Sequence, residues 1–557
     1  MDMIFSDITA PTPTPETLAA AYAAINARLD AGELQPAIAD WERLRREVET
    51  WSALTHLRFA QDTTDDAAKA AKDYLDELYP TITGHLVAMK RRLLGHADRA
   101  AVEAITGAHA LRLWEMDVTT FDPIIEADLV EEAKLDSRYT ALLSSAKIEI
   151  DGEVVNLSGL APFTQNLDRE TRHRAERAKW AWYAEHGAEL DEIYDNLVKL
   201  RDAMAKKLGF ENYIELGYRR MQRVDYGAAE VARYREQVLT HVTPLVARIM
   251  EARRVENGWE RLYFWDESLT DPQGNPKPAG GHDFLVAQAQ KMFDGMDARL
   301  ADFFRTMNEN GFLDLKNRPT KAPGGFCTSF PTAGMPFIFA NFNGTHHDID
   351  VFTHEMGHAF QNYASRDQPG YDYLWPTMES AEIHSMSLES LAYPHIGLLV
   401  GDDVADRYRR MHLIESLAFL PYGVLVDHFQ HEVYAHPEAT PAARHAIWRR
   451  LERQYEPWCD YGDIEYPAKG GYWQSQMHIY GSPFYYIDYT LALCCALQFW
   501  VRSRADYAGA LRDYVALCGR GGAAPFQALV DSAGLVSPFA AGALEGVVKE
   551  AEAVLAA

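Results

Sequence analysis

Apolar residues recur at helical spacing along most of this sequence, and that periodicity restricts the fold more than any other feature. Leu190, Ile193, Leu197, Leu200 and Met204 step by threes and fours, which lines one buried stripe of a helix. Gly209 follows as the expected C-cap. The first 130 residues have the same texture, rich in Ala and Leu with little β-branched clustering. Thr14 before Pro15 marks a helix start. A mainly α-helical protein is expected, with no repeat of fixed period.

Three stretches interrupt the pattern. KIEIDGEVVNL, residues 147 to 157, sets Asp151-Gly152 between two alternating runs, the signature of a hairpin. Residues 258 to 281 are rich in turn formers and read as an exposed loop. GFCTSFPTAGMPFIFANFNGT, 325 to 345, reads as two short strands around Pro331 to Pro336. Proline inside a strand points to a sheet edge, so a small β-sheet with an exposed edge is expected here. Ala333-Gly334 would let an extended peptide approach that edge and add a strand.

The chain has 557 residues, enough for two or more lobes. With no Gly/Ser linker, the expected division is an N-terminal helical lobe, 1–200, and a catalytic region, 201–557. Asp+Glu outnumber Lys+Arg by 81 to 54, a formal charge of -27, which disfavours nucleic acid and anionic membrane as partners. The five cysteines show no metal-finger spacing, as expected of a reducing compartment. The start of the chain lacks a signal-peptide pattern, and LALCCALQFWV, 491 to 501, is too short to span a bilayer. The expected location is cytoplasmic.

Residues 353 to 363 read THEMGHAFQNY. On a helix His354 and His358 lie one turn apart on one face, so both imidazoles reach a single ion. Glu355 lies beside them, placed to hold a metal-bound water. His346 and His347 precede the motif and are expected to face solvent or cap the helix, with Asp348 and Asp350 as further caps. A catalytic zinc takes three protein ligands and one open position. ESAEIHSMSLE, 379 to 389, follows the Trp375-Pro376-Thr377 break and offers Glu382, 24 residues after His358. Glu379, His384 and Glu389 are rivals. Glu389 shares a face with Glu382 and also suits a supporting partner to the ligands.

HEMGH followed by AEIHSMSLE resembles the thimet oligopeptidase and oligoendopeptidase F family of zinc metallopeptidases, nearest the oligoendopeptidase F and Pz-peptidase branch. Similarity runs from about 135 to 545. The family's E-x-x-S-x-x-x-E pattern falls on Glu382, Ser385 and Glu389, so the resemblance implies His354, His358 and Glu382 as ligands of one Zn2+ per chain. HIYGSPFYYIDY, 478 to 489, looks like the family's late substrate segment. It implies His478, Tyr486 and Tyr489 as catalytic donors, with Tyr480 and Gly481 beside the substrate. Ser482-Pro483-Phe484 stands where the thimet branch has Gly-Tyr, so that tyrosine does not carry over. The family fold implies a helical ellipsoid of two lobes around a deep channel that admits short peptides and excludes folded proteins. The expected activity is endopeptidase cleavage of oligopeptides, with Glu355 as general base. An exopeptidase using the same chemistry, or an inert peptide-binding protein, is the alternative. The chain would act as a monomer or small homo-oligomer.

Overall fold

Thr14 accepts a hydrogen bond from the Thr17 N–H, and Thr17 reaches back to the Thr14 N–H, a capping box that starts the first long helix, Pro15–Asp30. The helices Leu34–Gln61 and Asp66–Leu94 follow it. Leu18, Trp51, Leu75 and Leu78, one or more from each of the three, form a shared core. A computed structural model describes residues 3–318, 320–322 and 324–556. Helix dominates it, as the periodicity predicts, with two small sheets among the described residues. No helix among them is long and apolar enough to cross a membrane.

The chain forms two compact units. One comprises Met1–Phe121, Lys277–Ala405 and Cys495–Val536, and the other Asp122–Pro276, Asp406–Cys494 and Ser537–Ala557. They are interleaved in sequence rather than consecutive. Residue 200, where the sequence suggested a division, lies inside the 39-residue helix Arg169–Lys207.

The first unit holds a three-stranded sheet. β3 (Leu313–Lys316) runs parallel to β5 (Met335–Phe342), which is antiparallel to β4 (Phe326–Phe330), giving the order β3-β5-β4. The prolines pointed to an edge, yet β5, which contains Pro336, is the central strand. Pairing with β3 begins only at Leu313 opposite Ile338. At Pro336 the strand therefore has β4 alone as neighbour, and the missing N–H disrupts no second ladder. The edge strand is β4. Ala333 and Gly334 belong to neither strand. They form the β4–β5 turn, where both N–H groups donate to the Phe330 carbonyl and Gly334 takes φ +61°. Ala333 and Gly334 thus lie between the two strands that the sequence places around Pro331 to Pro336, at the end of the edge strand.

The second unit holds the expected hairpin of β1 (Ile148–Ile150) and β2 (Glu153–Val155), with Asp151 and Gly152 both at positive φ. Its long helix buries Leu190, Ile193, Leu197 and Met204 completely, while Leu200 is half-buried. Gly209 closes the helix at φ +88°, and the Phe210 N–H returns to the Ala205 carbonyl. The segment from 258 to 281 is turn-rich and exposed toward both ends, but its middle is buried, against the expectation of an exposed loop. Leu262, Phe264, Trp265 and Leu269 are buried, and Asp266 is fully buried between Arg169 and Arg172 at 2.7 Å each. Hydrophobic anchors and a satisfied ion pair hold it down where composition alone indicated a surface loop.

Removing one member of a buried ion network leaves the others desolvated and uncompensated, at a cost of about 3–5 kcal/mol. Asp266→Ala is therefore expected to lower the thermal midpoint of the second unit by roughly 10 °C. Calorimetry measures it, and an unchanged midpoint would show the network to be energetically neutral.

Candidate functional site

The helix His347–Ala364 starts three residues after Gly344, and the Asp348 carboxylate accepts the backbone N–H groups of Asn343 (2.8 Å) and Gly344 (2.7 Å). Asp348 and Asp350 thus sit within the first turn, favourable for acids, rather than ahead of it. His347 is exposed as expected, whereas His346 is buried at the N-cap without a side-chain capping bond. At the end of the helix, Gln361 Nε2 and Ser365 Oγ both donate to the Leu374 carbonyl. This folds the connection back so that Met378–Leu391 starts a second helix after Pro376. The Arg45 guanidinium adds a bidentate bond to Asp372 in the same connection, at 2.6 and 2.8 Å.

The two helices meet at Gly357. A Cβ there would lie 2.4 Å from the His384 carbonyl oxygen and 2.6 Å from Ser385 Cα. No side chain separates the backbones, so the faces carrying the polar groups converge. His354 meets Glu389, Gly357 meets Ser385 and His358 meets Glu382. The reversed order of contacts makes the helices antiparallel, as the sequence predicts.

His354, His358 and Glu382 present ligand atoms that all lie within 4.8 Å of one another, the one such group among the described residues. Glu382 Oε2 is 3.2 Å from His354 Nε2 and 3.4 Å from His358 Nε2. Ligands about 2.0–2.2 Å from a tetrahedral zinc lie roughly 3.3–3.6 Å apart, so the spacing and the two-nitrogen, one-oxygen donor set fit that ion. His354 Nδ1 contacts Glu389 Oε1 at 2.7 Å, which directs Nε2 toward Glu382. Ser385 Oγ donates to Glu382 Oε2 at 2.9 Å. Burial disfavours charge on His354, but its bonds to Glu382 and Glu389 outweigh this and raise its pKa well above the usual value. Burial would raise Glu382, yet His358 and His354 pull it well below the carboxylate range. Both shifts favour positive charge between the carboxylates.

Glu355 is buried on the same helix. Burial raises its pKa, opposed by His354 and His358. Of the rivals, Glu389 touches the cluster at His354 Nδ1, while Glu379 and His384 lie outside it. Glu379 accepts a hydrogen bond from the Thr377 hydroxyl at 3.0 Å, and His384 is fully buried, pushed down to about 4 by burial. Sequence reasoning passed over two neighbours. The Trp375 ring is 6.2 Å from that of His358, and its Nε1 donates to Ser329 on β4. Cys327, also on β4, has its thiol pushed well up by burial and then by the Glu355 charge. The clue for Trp375 lay in its place just ahead of Glu382. Nothing local pointed to Cys327. A cleft of about 640 Å³ elsewhere in this unit is lined by Ile38, Arg46, Trp114 and Asp372, with no ligand residue among its walls.

In the second unit His478, Tyr486 and Tyr489 gather as the sequence suggested. Ring centroids lie 5.1 Å apart for His478 and Tyr486, 5.8 Å for His478 and Tyr489, and 5.6 Å for the tyrosines. Gln476 Nε2 donates to His478 Nδ1 at 2.7 Å, and Gln476 Oε1 accepts from Tyr422. The ring hydrogen of neutral His478 is thereby assigned to Nε2. Burial raises the Tyr486 hydroxyl far beyond neutral pH, which keeps it a donor. Gly481 is exposed. Tyr480, expected beside the substrate, is instead a core side chain. It is 0% exposed, stacks on Tyr139 at 3.8 Å and donates its hydroxyl to the Leu190 carbonyl.

A Cβ at Gly357 would strike backbone, and overpacking of this kind costs about 1–3 kcal/mol. Gly357→Ala is expected to part the helices, lower thermal stability and release metal to a chelator faster. Retention equal to the parent protein would contradict this account of the site.

The family model described as Peptidase M3 N-terminal domain matches residues 5–121, and that of Peptidase family M3 matches 163–276 and 290–548. An oligoendopeptidase F crystal structure is 45% identical over 100% of this chain and 99% of its own, with a TM-score of 0.95. PZ peptidase A, solved with an inhibitor, is 42% identical over 99% of each chain at TM-score 0.95. An oligoendopeptidase F from Bacillus anthracis is 41% identical over 100% of this chain and 98% of its own at 0.90. Among curated proteins no relative matches. The resemblance read from the two motifs is borne out across the full length.

Proposed function

The chain belongs to peptidase family M3, and on that premise we propose that His354, His358 and Glu382 hold one zinc ion, beside which Glu355 acts as general base in the cleavage of internal bonds of short peptides. The observation that carries the reading is the convergence of the three ligand atoms within 4.8 Å, with Glu355 next to His354 on the helix. When bound, zinc supplies Lewis-acid polarisation of water and of the scissile carbonyl. Glu355 accepts the proton released as water adds to the carbonyl carbon, and delivers it to the amine nitrogen as the C–N bond breaks. Burial raises its pKa, which makes it the stronger base for the first of these transfers. Glu389 and Ser385 hold the His354 ring and the Glu382 carboxylate in orientation.

His478, Tyr486 and Tyr489 donate hydrogen bonds to the oxygen on which negative charge develops. The Tyr486 hydroxyl remains protonated throughout the working pH range, so it donates a hydrogen bond without giving up the proton. Short peptides are the substrates, and the odd number of cysteines, five without metal-finger spacing, supports a cytoplasmic location.

Glu382→Ala and Glu355→Gln separate the two roles. The first is expected to lose both zinc and turnover. The second keeps zinc while kcat falls about 10²–10⁴-fold, the range of a lost general base. Zinc content and kcat measured on the same samples decide it, and loss of metal from Glu355→Gln would make that residue structural. Tyr489→Phe and Tyr486→Phe are expected to lower kcat by about 10²–10³ with KM little changed. Wild-type rates from both would remove this segment from the chemistry. Peptides blocked at both ends should still be cut internally, and their resistance would favour an exopeptidase.

A further inference from the structure

Phe484 adopts φ +67°, the left-handed region that a phenylalanine rarely occupies. Such a conformation persists only where its surroundings over-determine it, and here three elements do so. The Phe484 N–H donates to Gln430 Oε1 at 2.8 Å. Its carbonyl accepts from Arg223 Nη2, which also binds the fully buried Asp488 at 2.7 Å. Its ring, 0% exposed, packs against Tyr218, His431 and Tyr434 at centroid distances of 5.5, 4.8 and 5.4 Å. Beneath it lies Gly217, where a Cβ would come 2.6 Å from Phe484 Cδ2. The ring needs a glycine on the facing helix, Tyr213–Arg220, in order to seat.

Phe484 is six residues after His478 and two before Tyr486. The link from His478 passes through Gly481, Ser482 and Pro483, of which Gly481 and Ser482 are exposed. We propose that Phe484 is a positioning residue for the reaction: by seating its ring over Gly217 it pins the segment 478–489 and so holds His478, Tyr486 and Tyr489 in one fixed arrangement. This rests on the reading of those three side chains as donors. Donors aimed in advance need no reorganisation in the transition state, and misplacement by an ångström costs up to about 10²-fold in rate. The anchor therefore bears on kcat although Phe484 itself touches no substrate.

Two readouts test it. In Phe484→Gly, which tolerates the positive φ but lacks the ring, amide hydrogen exchange across 478–489 is expected to accelerate. kcat should fall roughly 10- to 100-fold with KM and zinc content nearly unchanged. Gly217→Ala, which unseats the ring from the opposite side, should give the same pattern, and Phe484→Leu should restore part of the loss. Leu245→Ala, a buried substitution in the same unit, controls for lost thermal stability and should leave both readouts alone. Unchanged exchange in Phe484→Gly overturns the anchor whatever the rate. Faster exchange with an unchanged kcat overturns the positioning role, provided Tyr489→Phe or Tyr486→Phe lowers kcat. If neither tyrosine variant does, the donor reading itself has failed, and exchange alone decides whether Phe484 anchors the segment.

Discussion

The ligand cluster depends on one steric fact: the helices His347–Ala364 and Met378–Leu391 touch backbone to backbone at Gly357. Any side chain there would hold them apart, and the separation of Glu382 from the two histidines, 3.2 and 3.4 Å, would be lost. HExxH places two nitrogens on one turn of one helix, but the third proposed ligand, Glu382, comes from the other helix. The glycine lets that oxygen arrive. Glu382, Ser385 and Glu389 follow one another at steps of three and four residues, so one helical stripe supplies the proposed ligand and two groups that orient the ligand side chains.

The same economy appears in how irregular backbone is held. The connection between the ligand helices is bound at the Leu374 carbonyl by Gln361 and Ser365, and at Asp372 by the Arg45 guanidinium. In the second unit the turn-rich segment after residue 258 is fastened by Asp266 between two arginines, and the segment of His478 and Tyr489 by Phe484, Arg223 and Gln430. In each case a buried charge or amide satisfies main-chain groups that lack a helical or sheet partner, since leaving them unpaired in the interior would be costly. These groups contribute definition to loops more than they contribute net stability.

Much of the proposed catalytic constellation was legible in the sequence. His354, His358 and Glu355 follow from spacing on one helix, because 3.6 residues per turn fixes which side chains share a face. Glu382 was legible only with rivals. Choosing it over Glu379 and His384 required knowing which face of the second helix meets the first, and that is set by Gly357. Tyr486 and Tyr489 share a face at the start of one helix, so their pairing is local. Tyr480, one residue from Gly481 and two from His478, is core because the Tyr139 ring and the Leu190 carbonyl cover it from far along the chain.

By itself, then, the sequence determined what is encoded within a few residues: the helical class, the Asp151-Gly152 hairpin, the capping of the first helix, and the two histidines with their neighbouring glutamate. Periodicity and turn chemistry act over one or two turns and need no partner. Only the tertiary structure decided the order β3-β5-β4, the place of Ala333 and Gly334 in a turn, the burial of the segment after 258 and the seating of Phe484 at a positive φ. Each of these depends on a group distant in sequence, whether β3 beside β5, Arg172 beside Asp266 or Gly217 beneath a phenyl ring. Burial and pairing are properties of the surroundings, and a residue's surroundings are known only once the chain has folded around it.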